Sequence, residues 1–415
     1  MEEWNINRSI FILVFTCSLF AQDDYEKWLK EQQQAQQQAF DEEISEFQNY
    51  VAEVTAQYDA YEQQEAKEFE EFKKAVEEKW QDFKAPSQKE YVDYDEDLNS
   101  RSSVDFENGV VVVEVIVEED VPEKPGKEVE EAKAEAKQKA KKVVRGKAEE
   151  VTEKHVNKKL EKKISKLMKT KADDGKSLLR GQIADKKGKP VKASDADSFA
   201  AELVKEKPVA KNTYKAKDGK KRTVYTVKIP MKSDHISTRA KQFKEEILKQ
   251  SKRFNIDPII AFAVMETESA FNTKAKSHIP AFGLMQLVPR SGARDAYLYV
   301  YKKDKFVDDE YLYVPSNNVE LGCAYLAKIR HQYFKSITDD ERAYICAIPA
   351  YNTGIGNVAK ALTNTTKLKP AAQKANSMSA DKLYKTLRKD LQYKEARDYL
   401  ERVWTRKDKY ANLIK

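Results

Sequence analysis

The chain has 415 residues, of which 35% are charged, with a formal net charge of +6 and a mean hydropathy of −0.76. That length calls for two or three domains, and the composition makes most of the chain soluble, much of it extended or solvated helix and not deep core. Acidic and basic residues are interspersed and the excess is small, which excludes nucleic acid as an evident partner, while a mildly basic face suits docking on a polyanionic cell wall.

The chain opens on a targeting signal. Ile10–Phe20 is apolar, follows Arg8, and gives way to Ala21 and then Gln22-Asp23-Asp24. It is too short to span a bilayer and reads as the apolar stretch of a secretory signal over 1–21. Two ends stay open: cleavage after Ala21, or Cys17 as the lipid-carrying first residue of a bacterial lipoprotein on the outer membrane. Val14-Phe15-Thr16-Cys17 is a poor form of the lipoprotein pattern, and Glu2 and Glu3 weaken the basic leader. Export puts the protein in the periplasm. Cys323 and Cys346 lie in apolar helical stretches and read as small buried hydrophobes, with a bridge as the alternative in an oxidising compartment.

Residues 22–232 read as a helical and α+β domain. Phe40, Ile44, Phe47, Val51, Val54, Tyr58 and Tyr61 alternate steps of four and three, and Phe69, Phe72, Val76, Trp80 and Phe83 continue the stripe. This predicts a helix from Asp23 to Lys84 ended by Pro86, either packing on its own domain or serving as a stalk for protein partners. Tyr91–Asn108 is polar and turn-rich. Asn108-Gly109 introduces Val110–Val117, a strand by its valine content. Glu128–Lys171 predicts a second helix with a thin apolar stripe (Val144, Val151, Leu160, Ile164, Leu167), and Leu178–Ala184 and Arg222–Met231 are further strand candidates. The outcome is a small sheet of two or three strands with long helices.

From 233 to 415 the pattern is all-helical. Asp234 caps a helix predicted over Ile236–Arg253, and Asp257-Pro258 starts the next, whose apolar run Ile259–Val264 leads to Met265-Glu266-Thr267-Glu268. Glu268 is therefore a carboxylate near the end of a buried helix. Burial disfavours its charged form, as a general acid in glycoside cleavage requires. Glu266, two residues earlier, points to a different face, and no other acidic residue recurs near Glu268, so a substrate-assisted scheme fits the single carboxylate, with an Asp brought in from elsewhere by the fold as the alternative. His155, His235, His278 and His331 have no ligand spacing, and neither metal nor cofactor is called for. Pro349 should kink the helix that contains it.

Several strings carry a resemblance. Glu268-Ser269-Ala270-Phe271-Asn272, Gly283-Leu284-Met285-Gln286 fifteen residues after Glu268, Asn318–Leu326, Ala350-Tyr351-Asn352-Thr353-Gly354 and Glu395–Val403 resemble, in order and spacing, the soluble lytic transglycosylase domain, a goose-lysozyme-like helical fold. Tyr91–Gly109 with the valine-rich strand resembles the N-terminal domain of the membrane-bound lytic murein transglycosylase C type. The implied architecture is an α+β N-terminal region with long helices and a small sheet, followed by an all-α lysozyme-like catalytic domain.

The resemblance implies peptidoglycan as substrate. Glu268 would protonate the oxygen linking N-acetylmuramic acid to N-acetylglucosamine, then accept the proton of the muramoyl 6-hydroxyl as it closes a 1,6-anhydro ring without consuming water. Ser277, Gly283, Met285, Gln286, Tyr351, Asn352 and Tyr399 would surround the substrate, Met285 and Gln286 lining the cleft, Tyr351 bonding Glu268 or the N-acetyl group, and Tyr399 closing the cleft from behind. Val288 stands where many relatives carry methionine, and Thr353 where they carry a small residue. Two other functions stand beside this one: a goose-type lysozyme-like hydrolase, and a wall-binding scaffold with an inactive cleft.

Overall fold

The computed structural model describes residues 55–118, 134–206, 209–278 and 280–414, scattered positions between 27 and 53, and the backbone alone of 134–151. The targeting signal with Cys17, and the stripe positions Phe40 to Val54, lie outside the described residues. The chain divides into two compact units, Met1–Phe69 and Glu70–Lys415. In the first, residues 55–69 are helical, and the rings of Tyr58 and Tyr61 meet at 6.4 Å, as a step of three along a helix allows.

The second unit begins with helical residues 70–79 and then builds an antiparallel sheet. Its strands are β1 (Glu90–Tyr94), β2 (Ser100–Asp105), β3 (Val110–Glu118), β4 (Ala210–Lys215) and β5 (Lys221–Pro230), in the order β1-β2-β3-β5-β4. Helices α1 (Ala134–Lys169) and α2 (Ala196–Glu206) cover one face: Val111, Val113 and Val115 of β3 share a core with Val156, Leu160 and Ile164 of α1 and Ala200 and Leu203 of α2. Val76 and Trp80 pack on the opposite face with Ile116, Tyr214 and Val224. Alternation of β3 side chains between the two cores is what a period of two residues produces.

Four expectations need correction here. Tyr91–Asn108 is not merely turn-rich, because it holds most of β1 and all of β2, with Arg101 donating from Nε to Glu114 at 2.7 Å and from Nη2 to Asp82 at 2.9 Å over the Trp80 ring. Leu178–Ala184 forms no strand, since Gly175, Gly181 and Gly188 turn the chain through positive φ and leave only isolated bridges such as Ala184 to Pro190. The helix predicted to Lys84 stops at residue 79, where Trp80 turns onto the sheet and its indole N–H donates to the Leu98 carbonyl at 2.8 Å. The sheet has five strands and not two or three, and from α1 Lys163, 2% exposed, donates to Asp93 and Asp95 at its edge at 2.7 and 2.9 Å.

The helical part follows: α3 (His235–Gln242), α4 (Lys244–Phe254), α5 (Pro258–Ser269), α6 (Arg294–Tyr301), α7 (Asp309–Tyr313), α8 (Pro315–Lys328), α9 (Asp340–Thr353), α10 (Ile355–Thr363), α11 (Leu368–Asn376), α12 (Ala380–Asp390), α13 (Lys394–Arg406) and α14 (Ala411–Ile414). The single helix expected over 236–253 is broken at Phe243, whose ring stacks on Phe271 at 6.3 Å. Asp234 begins α3 without a side-chain cap bond, whereas Asp257 accepts from the Ile259 N–H at 2.8 Å, as expected. Helix α9 runs on through Pro349. Every residue of α5 from Ile260 to Ser269 is buried, the apolar run to Met265 on all faces of the helix and the polar end Glu266–Ser269 with it. Helices α4 and α13 and the turn before α14 pack against it. Cys323 and Cys346 are buried and free.

Candidate active site

Helix α5 carries Glu268 to the residue before its last, Ser269, after which Ala270 and Phe271 both take left-handed conformations, φ 49° and 62°, and swing the chain away. Glu268 is 7% exposed and receives a hydrogen bond from the Tyr399 hydroxyl at 2.7 Å. Burial pushes its carboxyl up from the ordinary 4.5 to about 7; Tyr399 opposes the shift, and the nearby Glu395 charge adds to it. The group thus holds a proton near neutrality yet has a partner ready for its ionised form, which suits an acid that must later serve as base.

Glu266 is occupied elsewhere. Its carboxylate, 3% exposed, is held by Lys409 and the Tyr410 hydroxyl, with Arg406 Nε at 3.5 Å. Two residues along the helix, the same side-chain type faces a C-terminal ion-pair cluster and not the cleft.

The loop after α5 forms the facing wall. Ser269 Oγ donates to the Leu284 carbonyl at 2.7 Å. Asn318, fully buried on α8, donates to the carbonyls of Phe282 and Leu312 at 2.8 and 2.9 Å and accepts from the Met285 N–H at 2.7 Å. Gly283 is needed for this: its φ is 74°, and a Cβ there would come to 2.5 Å from the Leu312 carbonyl. So held, the loop sets Gln286 at φ 47°, with its amide donating to the carbonyls of Gly283 and Ala275 at 3.0 and 3.2 Å. Both N–H groups are spent, and the buried Oε1 has no partner in the protein. An unpaired buried acceptor at a cleft wall is a place for a ligand's hydroxyl or N–H.

A cleft of about 460 Å³ opens between these walls, and Glu268, Ser277, Gln286, Tyr351 and Asn352 line it together. The other expected residues lie behind it. Met285 is fully buried, its side chain against Gly322, where a Cβ would lie 2.7 Å from its own Cβ. Gly283 shapes the loop, and Tyr399 reaches Glu268 from the buried side. The tyrosine bonded to the acid is Tyr399, not Tyr351, which instead donates to the Met285 carbonyl at 2.9 Å and stands edge-on to Tyr325 at 5.2 Å.

Sequence reasoning missed several lining residues, Gln88, Tyr325 and Glu395 among them. Gln88 comes from the segment just before β1, its carbonyl accepting from Asn272 Nδ2 at 3.3 Å. Tyr325 and Glu395 also line the cleft, and Asn352 Nδ2 lies 3.4 Å from Glu395 Oε1. The expectation that no second carboxylate shares the site therefore needs correcting: Glu395 opens into the same cleft as Glu268, though 127 positions apart its approach left no trace in local spacing. Among the described residues no group of three or more His, Cys, Asp or Glu side chains is placed to hold a metal ion.

Comparison with known proteins shows what the chain around this site is similar to. Residues 245–374 match the transglycosylase SLT domain, so the chain is similar, over α4 to α11, to lytic transglycosylases that carry that domain. The rest of the chain is similar to one particular type. Residues 59–132 and 164–242 match the N-terminal domain of membrane-bound lytic murein transglycosylase C. Proteins of that name from Haemophilus ducreyi and Actinobacillus pleuropneumoniae serotype 5b are 34% and 36% identical over 57% of this chain, which spans 63% of their length. A solved inactive mutant of lytic transglycosylase Slt from Pseudomonas aeruginosa is 26% identical and covers 41% of this chain and 24% of its own, with a TM-score of 0.32.

Proposed function

We propose that the protein is a lytic transglycosylase of peptidoglycan, cleaving the β-1,4 bond between N-acetylmuramic acid and N-acetylglucosamine and leaving a 1,6-anhydromuramoyl end. The observation that carries this is the state of Glu268: buried at a helix end, shifted to about 7, bonded to Tyr399 and open to the cleft. As acid it gives its proton to the glycosidic oxygen, and the leaving sugar departs with the bonding pair. The substrate's N-acetyl oxygen stabilises the anomeric centre. Glu268, now a carboxylate stabilised by the Tyr399 hydroxyl, takes the proton of the muramoyl 6-hydroxyl as that oxygen bonds the anomeric carbon. The proton balance closes on one residue.

Around it, Gln286 Oε1 accepts from a sugar donor, Ser277 and Asn352 bond the saccharide, and Tyr351 supports the wall from which Gln286 projects. We take 233–415 as the catalytic domain, 22–232 as the domain before it, and 1–21 as the export signal, which sets the enzyme in the periplasm with the outer membrane as its anchor if Cys17 is lipidated. The relatives are named membrane-bound, and no helix among the described residues is long and apolar enough to cross a membrane. The N-terminal helices are the surface left for protein partners.

Glu395 favours a second function, a peptidoglycan hydrolase in which its carboxylate activates a water across the cleft from Glu268. A murein zymogram of wild type against Glu268→Gln tests the catalytic proposal for both: clearing by wild type alone supports it, equal clearing defeats Glu268 as the acid, and none from either leaves a wall-binding scaffold.

A further inference from the structure

Arg239, on α3, is 2% exposed, and none of the groups it bonds is a carboxylate. Its Nε donates to the Ala270 carbonyl at 2.9 Å, Nη1 to Gln182 Oε1 at 2.6 Å, and Nη2 to the Phe106 carbonyl at 2.6 Å. Nη1 also meets His235 Nδ1 at 3.2 Å, and the guanidinium carbon lies 5.0 Å from the Phe106 ring centre. A buried cation with no carboxylate bonded to it is costly, even with the more distant Glu266 and Asp105 charges in its favour, and an apolar side chain of similar volume would fill a core more cheaply. What an apolar side chain lacks is the planar fork that grips several oxygens at fixed angles.

The three oxygens belong to three separate segments. Phe106 begins the turn between β2 and β3, Gln182 sits in the turns after α1, and Ala270 ends α5. Ala270 also belongs to the core under the sheet, the one that holds Val111, Leu179 and Met231, and not to the helical core. It and Phe271 hold successive left-handed conformations without being glycine, and such a turn persists only where its surroundings over-determine it. On the other side of the same helix end, Ser269 is pinned to Leu284. Glu268 is the residue before Ser269.

We propose that Arg239 is a positioning residue for Glu268, fixing the end of α5 against the five-stranded sheet so that the carboxyl is held in its dry setting beside Tyr399. The sheet then serves the reaction as well as the fold. The proposal rests on Glu268 being the acid, and its test also reads Glu268 directly.

The full chain is compared with Arg239→Met and Arg239→Lys for kcat and KM on soluble glycan strands, for cooperative unfolding, and for the Glu268 titration by NMR with labelled glutamate. In folded Arg239→Met, kcat falls on the order of 10- to 100-fold, the scale of a misplaced catalytic group, with KM little changed. The Glu268 titration moves down toward the ordinary carboxylate range as water reaches it. Arg239→Lys does not restore kcat, because one ammonium cannot bridge three segments. A folded Arg239→Met with wild-type kcat, or with an unmoved Glu268 titration, overturns the proposal. If Arg239→Met does not fold, Gln182→Leu removes one acceptor far from the cleft; a lower kcat and a lowered Glu268 titration support the proposal, and no change in either overturns it. If the wild type cleaves nothing, the reaction fails as a proposal and Arg239 is judged by the titration alone.

Discussion

The Tyr399 hydroxyl donates a 2.7 Å hydrogen bond to Oε1 of Glu268 across 131 residues of sequence. A bond to a carboxylate favours its ionised form, so this contact lowers Glu268 against the burial that raises it. Tyr399→Phe therefore moves the alkaline limb of the kcat–pH profile to higher pH, where the acid keeps its proton longer. It also lowers kcat on the order of tenfold or more, because the carboxylate left after proton transfer has lost its donor. A pH profile of kcat for the two proteins checks both effects.

Glu395 acts in the opposite direction. Its charge raises Glu268, so Glu395→Gln moves the alkaline limb to lower pH and reduces activity at neutrality more than at mildly acid pH. Opposite displacements in Tyr399→Phe and Glu395→Gln, measured on one substrate, identify the limb as Glu268. If Glu395 instead activates water, Glu395→Gln loses activity at every pH.

Stability follows from the same shift. Glu268 goes from the ordinary 4.5 to about 7 in the fold, so the folded state keeps a proton that the unfolded chain releases. Its contribution is complete below pH 4.5 and is lost as pH rises through 7. At about 1.4 kcal/mol per pKa unit the loss is on the order of 3 kcal/mol. Glu268→Gln, still able to accept from Tyr399, escapes that loss. Urea unfolding should find it more stable than wild type by up to that amount at pH 8, with the gap closing at pH 5.

Gly322→Ala tests the packing behind the cleft. The added Cβ would lie 2.7 Å from Met285 Cβ, and overpacking of that kind costs about 1–3 kcal/mol. Met285 precedes Gln286 and its carbonyl holds Tyr351, so a drop in thermal midpoint should come with a raised KM. A variant with normal stability and KM would contradict the account of that wall.

Most of the helical part was legible because its signals are local. Asp257-Pro258 fixes where α5 starts, an apolar run fixes its burial, and the step from Glu266 to Glu268 separates two faces of one helix. The strand β3 announces itself by valine content. What escaped depends on distant pairing: β1 and β2 look polar because Arg101, Ser102 and Ser103 become strand residues only when their neighbours cover them. Likewise Gln88 and Glu395 enter the cleft from opposite ends of the chain. Tyr399 and Tyr351 could both be placed near the acid from the pattern, but which of them bonds it depends on how α13 packs against α5, and no spacing encodes that.

The central claim is that Glu268 closes an anhydro ring without water. Mass spectrometry of glycan fragments released by the wild-type enzyme in water enriched in heavy oxygen tests it most directly. The account predicts muramoyl ends one water lighter than the hydrolysed sugar and free of the heavy label. Reducing muramic acid ends that carry the label as the main product would contradict it and assign the cleft to hydrolysis.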